Sequence, residues 1–181
     1  GSASDTDAIS ISSGGVVTFS QTPVGAFISE ADQFRLTANT GLGTDADITA
    51  NLERNDNATF SKIGTGMTES SGIFTFPSTG LYLVIANPMM RSNGDTNAYV
   101  IIKGSSNSGG AFSDLAYING GSEASSDDLS SVYGSTFINV TNASTFQVKF
   151  TTSSFSGNTR LEGSTSANYT SFTFIKLGES Q

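Results

Sequence analysis

The 181-residue chain contains no Cys, no His and no Trp, and only three Pro and three Met. Without His there is no Ser-His-Asp triad, no imidazole acid or base, and no ordinary zinc centre. Without Cys there is no disulfide, no thiolate nucleophile and no cysteine metal site. No Ser stands three residues before a Lys, which removes the Ser-x-x-Lys nucleophile as well. Gly41-Leu42-Gly43 and Gly64-Thr65-Gly66 lack the remaining residues of a dinucleotide or phosphate-loop motif, so they read as turns. Carboxylate pairs such as Asp45 with Asp47 and Asp127 with Asp128 lie in polar stretches, where nothing desolvates an acid into a catalyst. The chain is expected not to be an enzyme, and no cofactor is expected.

Positive charge is also scarce. Eight Lys and Arg stand against sixteen Asp and Glu, for a net charge of −8. The basic residues are Arg35, Arg54, Lys62, Arg91, Lys103, Lys149, Arg160 and Lys176, no two adjacent. No basic stripe exists for phosphate backbones or anionic lipid, so nucleic-acid binding is not expected. No apolar run approaches the ~20 residues that span a bilayer as a helix, and no membrane insertion is expected.

What the chain does have is Phe, Ser and Thr in strand-like order, with few of the good helix formers. The central stretch is Gly72 to Ala86. Ile73-Phe74-Thr75-Phe76 is a β-branched and aromatic run that Pro77 stops, having no N–H for a ladder. Ser78-Thr79-Gly80 supplies a turn, and Leu81 to Ala86 is apolar at every position, which predicts a strand with two dry faces. Further strands are predicted over Gln33–Thr37, Ile48–Leu52, Phe60–Ile63, Ala98–Lys103, Phe112–Ile118 and Tyr169–Leu177. Ser131–Val140 and Thr145–Thr151 are expected to pair across Thr141–Ser144, the second alternating cleanly at Phe146, Val148 and Phe150. Polar loops are expected over 38–58, 119–128 and 153–166. Ala3 to Gln21 is hairpin-like, with Gly14-Gly15 at its turn, and the Thr22–Gly25 stretch reads as a hinge. The pattern is an all-β sandwich, with 1–25 as a short β stem or linker and 26–181 as the head domain. The first segment reads equally as a stem or as a strand docked on the head.

Phe74-x-x-Pro77-x-x-Gly80-x-Tyr82 resembles the core motif of the tumour-necrosis-factor and complement globular-head domains. Ser171-Phe172-Thr173-Phe174-Ile175 is similar to that family's closing strand. The resemblance implies a ten-strand jelly-roll sandwich assembled as a homotrimer, with the strand from Leu81 near the threefold axis. The interface residues it implies are Phe76, Leu81, Tyr82, Val84, Phe172 and Phe174. The stem-like start is similar to segments preceding the heads of bacteriophage fibre proteins, where three chains pair.

Three sets of residues follow as candidates. Exposed aromatics and polar loop side chains able to meet a sugar or protein are Tyr117, Asn119, Asp127, Asp128, Phe155 and Asn158, in or beside loops expected at one end. The loops are Ser92–Thr96, Ser105–Gly110, Asn119–Asp128 and Ser153–Ser166. Asp45, Asp47, Asp127 and Asp128 are the acids on offer to a hard cation, although none has the calcium-loop spacing and no metal is expected to be required. The expected function is that of a virion structural and adhesion protein, the head of a phage tail or capsid fibre that contacts a host-surface glycan or protein. Other virion proteins would meet it through its N-terminal segment. The alternatives are a secreted, extracellular complement-head-like lectin or cytokine, and a capsid decoration (cement) protein.

Overall fold

A computed structural model describes residues 9–19, 28–123 and 128–181. The predicted hinge at Thr22–Gly25, the stem–head boundary at 25/26 and Asp127 lie outside the described residues. Among those described there is no helix. In chain order the first strands are β1 (Ile9–Ile11), β2 (Val17–Phe19), β3 (Ala31–Leu36), β4 (Leu52–Arg54) and β5 (Thr68–Ser70). Then come β6 (Ile73–Thr75), β7 (Gly80–Asn87), β8 (Met89–Ser92), β9 (Tyr99–Ser105) and β10 (Ser113–Asn119). The last are β11 (Asp128–Ser131), β12 (Gly134–Val140), β13 (Gln147–Ser153), β14 (Arg160–Leu161) and β15 (Ser171–Gly178).

Two five-stranded sheets make the sandwich, ordered β12-β7-β15-β3-β4 and β10-β9-β13-β6-β5, with every neighbour antiparallel. Their ten strands agree in number with the sandwich expected. A smaller sheet, β11-β8-β14, closes one end, and β1-β2 is a separate hairpin. β12 and β13 are consecutive in sequence but do not pair, contrary to expectation. β12 lies against β7 and β13 between β6 and β9, so the Thr141–Ser144 connection crosses from one sheet to the other. A short polar link looks the same whether it turns within a sheet or spans two. Strand β8 follows directly on Pro88, and the strand expected at Phe60–Ile63 is loop apart from one bridge, Ala31 to Ile63. The strand expected at Ile48–Leu52 forms further on, at Leu52–Arg54, while Ile48 is buried.

A cluster of Phe rings lies within the core. The Phe74 ring centre lies 5.0 Å from those of Phe34 and Phe174 and 5.7 Å from that of Phe150. Phe150 stacks on Phe172 at 3.9 Å. The family-like motif acquires physical roles here. Phe74 is the hub of the rings, and Tyr82 packs against Phe76 at 4.8 Å and donates its hydroxyl to the Ser78 carbonyl oxygen at 3.1 Å. Gly80 has φ +154°, and a Cβ there would meet the Lys176 side chain at 2.4 Å and the Gly178 carbonyl at 2.7 Å.

Burial along β7 alternates strictly, with Tyr82, Val84 and Ala86 inward and Leu81, Leu83 and Ile85 outward. The expected interface set is therefore corrected. Phe76, Tyr82, Val84, Phe172 and Phe174 all belong to the chain's own core. Their side chains are already covered and offer nothing to a partner. Leu81 alone of the six lies on the outward face. A run apolar at every position does not reveal which face looks inward.

Replacing Phe74 by Ala removes the ring that four other Phe rings contact. The expected cost is about 3–5 kcal/mol, read as a lower midpoint in urea unfolding at unchanged slope.

Candidate functional site

The outward face of the β12-β7-β15-β3-β4 sheet is the first surface that bears on function. Leu83 stands opposite Phe137 of β12 on one side and Ile175 of β15 on the other. Leu81, Ile85 and Leu177 extend this row, and Phe137 is 64% exposed. Towards β4 the same face becomes polar. Arg35, almost fully buried, is gripped by Glu53 at 2.8 Å and by Asp56 at 2.5 Å. A broad aliphatic and aromatic patch is thus bounded by satisfied charges. It carries no groups for acid–base chemistry, and its aliphatic side chains are half-buried around the exposed Phe137 and Leu177.

The second surface is the end closed by the small sheet. Asp95, in the β8–β9 connection, gathers the loops there. Its carboxylate accepts from the Ser156 N–H at 2.8 Å and from the Ser156 hydroxyl, and its carbonyl accepts from Ser92 Oγ at 3.1 Å and the Ser122 N–H at 2.9 Å. Thr159, buried nearby, takes the Asn93 N–H at 3.2 Å. Partial burial pushes the Asp95 carboxyl up, but hydrogen bonds from Ser156 and Thr159 outweigh it and hold the group below its ordinary value. Beneath the loops, Glu162 bridges Arg91 at 2.6 Å and Arg160 at 3.1 Å.

The sequence-level candidates distribute unevenly over this geometry. Asn119, Asp128 and Asn158 are exposed on or beside the loop end. Asn119 spans Thr96 and Gly121, and Asp128 accepts from Ser122 Oγ at 2.6 Å. Phe155 is not a surface aromatic. It is 5% exposed and part of the core, its N–H held by Asp45 at 2.8 Å, so the polar sequence around it concealed an inward anchor. Ser105–Gly110 is also corrected, because it joins the far end, where the Ser108 N–H bonds the Thr145 carbonyl next to the β12–β13 connection. Of the acids considered for a cation, Asp45 caps Phe155, and Asp47 is paired with Lys149 at 2.7 Å and with Thr151 at 2.7 Å. Burial raises the Asp47 carboxyl less than those bonds to Lys149 and Thr151 lower it. No three such acids converge among the described residues.

Tyr117 is 60% exposed on the outward face of the second sheet. Its ring meets Tyr99 edge-to-face at 5.8 Å, and its hydroxyl donates to Asp114 Oδ2 at 2.5 Å. The other Asp114 oxygen takes Lys103 Nζ at 2.5 Å. The Lys103 contact foremost, then the Tyr117 hydroxyl, holds the Asp114 carboxyl low, and the same bond to Asp114 raises the Tyr117 phenol.

Comparison with solved structures places the architecture. Eiger, a tumour necrosis factor from S. frugiperda, matches with a TM-score of 0.65 at 12% identity, covering 86% of this chain and 96% of that one. The fold is the tumour-necrosis-factor-like jelly roll. Murine APRIL matches this jelly roll with a TM-score of 0.60 at 14% identity over 82% of the present chain and 98% of its own. PRD1 vertex protein P5 matches with a TM-score of 0.50 at 15% identity over 84% and 100%. At such identities the likeness shows the fold alone. No family model matches the chain, and no curated protein sequence matches it.

Sequence reasoning missed Leu83, Ile85, Phe137, Ile175 and Leu177 as the outward patch of the jelly roll. The available signal was the second phase of the alternation in Leu81–Ala86. Asp95 carried no local signal, since its partners lie far along the chain.

Two outcomes are expected at these sites. Because Asp95 titrates below its ordinary 3.8 in the folded chain, its contribution is complete above that value and lost as pH falls through the folded one. Asp95→Ala should lower stability at neutral pH by about 1 kcal/mol, solvent screening a partly exposed carboxylate. The gap to the parent should narrow progressively in melts taken at pH values falling below 3.8. Separately, melting with and without EDTA should agree within error, whereas a drop of several degrees would reveal a bound cation.

Proposed function

We propose that this chain is the head of a homotrimeric, non-enzymatic appendage on a virion surface, where it contacts a host-surface glycan or protein. The observation that carries the reading is the outward apolar row Phe137–Leu83–Ile175, with Leu81, Ile85 and Leu177 beside it. A patch of this kind is costly to leave wet, and symmetric association of identical copies covers it. A threefold arrangement agrees with the family resemblance of the Phe74–Tyr82 motif. The fold likeness to PRD1 vertex protein P5 supports a place on a virion, and the absence of Cys suits a domain that oligomerisation rather than disulfides stabilises. The lack of His and Cys, together with acids already engaged by Lys, Arg and backbone N–H groups, supports a structural rather than a catalytic role.

In this assembly the loop end around Asp95 and the outward face of the second sheet stay open for recognition. The β1-β2 hairpin is the natural connection to other virion proteins. A secreted, extracellular ligand is the second reading, favoured by the higher TM-scores of Eiger and APRIL. Neighbouring sequence separates the two: collagen-like repeats would accompany a secreted protein, a shaft or capsid anchor an appendage.

Light scattering at micromolar concentration should return three times the chain mass. Leu83→Asp places an unpaired charge in the patch while leaving the core untouched, and should give a folded monomer. A monomeric parent chain, or a trimeric Leu83→Asp variant, would overturn the assignment of this face.

A further inference from the structure

The second sheet turns its outward face away from the apolar patch, and that face is built in an unusual way for an exposed surface. Lys103 and Lys149 stand directly opposite one another on β9 and β13. Like charges in that position repel, yet each is neutralised: Lys103 by Asp114 at 2.5 Å, Lys149 by Asp47 at 2.7 Å. Lys149 also lies 4.4 Å from the Phe112 ring centre. The four charges balance in a row, and the row leaves no net charge on this part of an acidic protein.

Beside the row, towards the loop end, the character changes. Tyr117 stands opposite Ile101, and Ile101 stands opposite Thr151. Tyr99 stands opposite Asn119 and Ser153. Val100 and Ile102 enter the core cluster and Ile101 does not, so Ile101 forms an apolar floor on the outer side. The Tyr99 and Tyr117 rings rest over this region edge-to-face, with Tyr117 60% exposed. Asp114 is held from both sides by Lys103 and by the Tyr117 hydroxyl, each of its oxygens keeping a free lone pair.

We propose that the Tyr99–Tyr117 pair and Asp114 form a docking platform for a neutral hexose unit of a surface glycan. This rests on the adhesive reading above and names the class of its receptor. The C–H face of a pyranose stacks on an exposed aromatic ring, the apolar body of Tyr providing area and its hydroxyl a polar handle. A fixed carboxylate beside the ring accepts from sugar hydroxyls without having to be reoriented. A charged sugar would have to break the Lys103–Asp114 or Lys149–Asp47 pair to gain a partner, and a neutral one does not. The platform is flat rather than enclosed, so one copy binds weakly, and three on one head, repeated over many heads, supply the avidity.

The test is binding of the fluorescently labelled intact chain to an array of immobilised neutral glucose, galactose and mannose oligosaccharides. Sialylated and uronate-containing glycans serve as charged controls. The parent chain is expected to be retained on neutral glycans. Tyr117→Ala and, independently, Tyr99→Ala should each weaken retention by about tenfold or more, with melting temperature and scattering mass unchanged. Tyr117→Phe, which keeps the ring, should retain most of the binding. Retention on charged glycans only, retention on no glycan, or alanine variants that bind like the parent would overturn the platform. Light scattering on the same samples keeps the two readings apart: a trimer without Tyr-dependent binding refutes the platform alone, and a monomer refutes the assembly.

Discussion

Phe74, Phe150, Phe172 and Phe174 fill the gap between the two five-stranded sheets, and the stacked pair Phe150–Phe172 holds one sheet to the other at ring-contact distance. Each ring comes from a strand that is central in its sheet or next to one, so their packing sets the sheet separation for every flanking element. Once these faces are committed inward, the pleat sends Leu81, Leu83, Ile85 and Ile175 outward with no further freedom. The apolar contact surface is the other side of the core strands. A one-residue slip in β7 would exchange core and surface along its whole length.

Buried charge then defines the edges. Asp32 is nearly inaccessible, and it accepts two bonds from Arg54 at 2.9 Å, the Met67 N–H at 2.8 Å and the Gln33 N–H at 2.9 Å. Arg35 is satisfied by Glu53, Asp56 and Asn55. Such pairs contribute little net stability over an apolar packing, but removing one partner leaves an uncompensated buried charge. Their effect here is positional. They tie β3 and β4 to the β5 approach and to the 55–56 loop, and the Arg35 cluster, on the outward face, ends the apolar patch at a defined boundary.

Three surfaces of different chemistry result, and they do not compete. The β12-β7-β15-β3-β4 sheet presents an apolar outward face, the one proposed to meet copies of the chain. The small sheet and Asp95 organise a polar loop end, and the second sheet carries a charge-balanced row with an aromatic pair beside it. A rigid sandwich allows this separation because each face is set by strand pleat rather than by loop conformation.

The sequence alone determined the class of fold and which side-chain chemistries, those of His and Cys, the chain does not carry. The absence of His and Cys, the Phe-rich alternation and the motif from Phe74 to Tyr82 were local properties, and they placed the central strand, the clean alternation at Val148 and Phe150, and the family likeness. Tertiary structure decided the rest, because each remaining question depended on partners distant in the chain. Leu81 to Ala86 is apolar at every position, so only pairing with Ile138 on one side and Phe174 on the other shows that Tyr82 and Val84 look inward. Phe155 reads as an exposed loop aromatic until the surrounding strands close over it. Asp95 reads as an ordinary turn acid until Ser156 is brought to it. β12 and β13 read as a hairpin until each finds a different sheet. Period-two alternation announces that a strand has two faces, and only long-range register says which of them is the core.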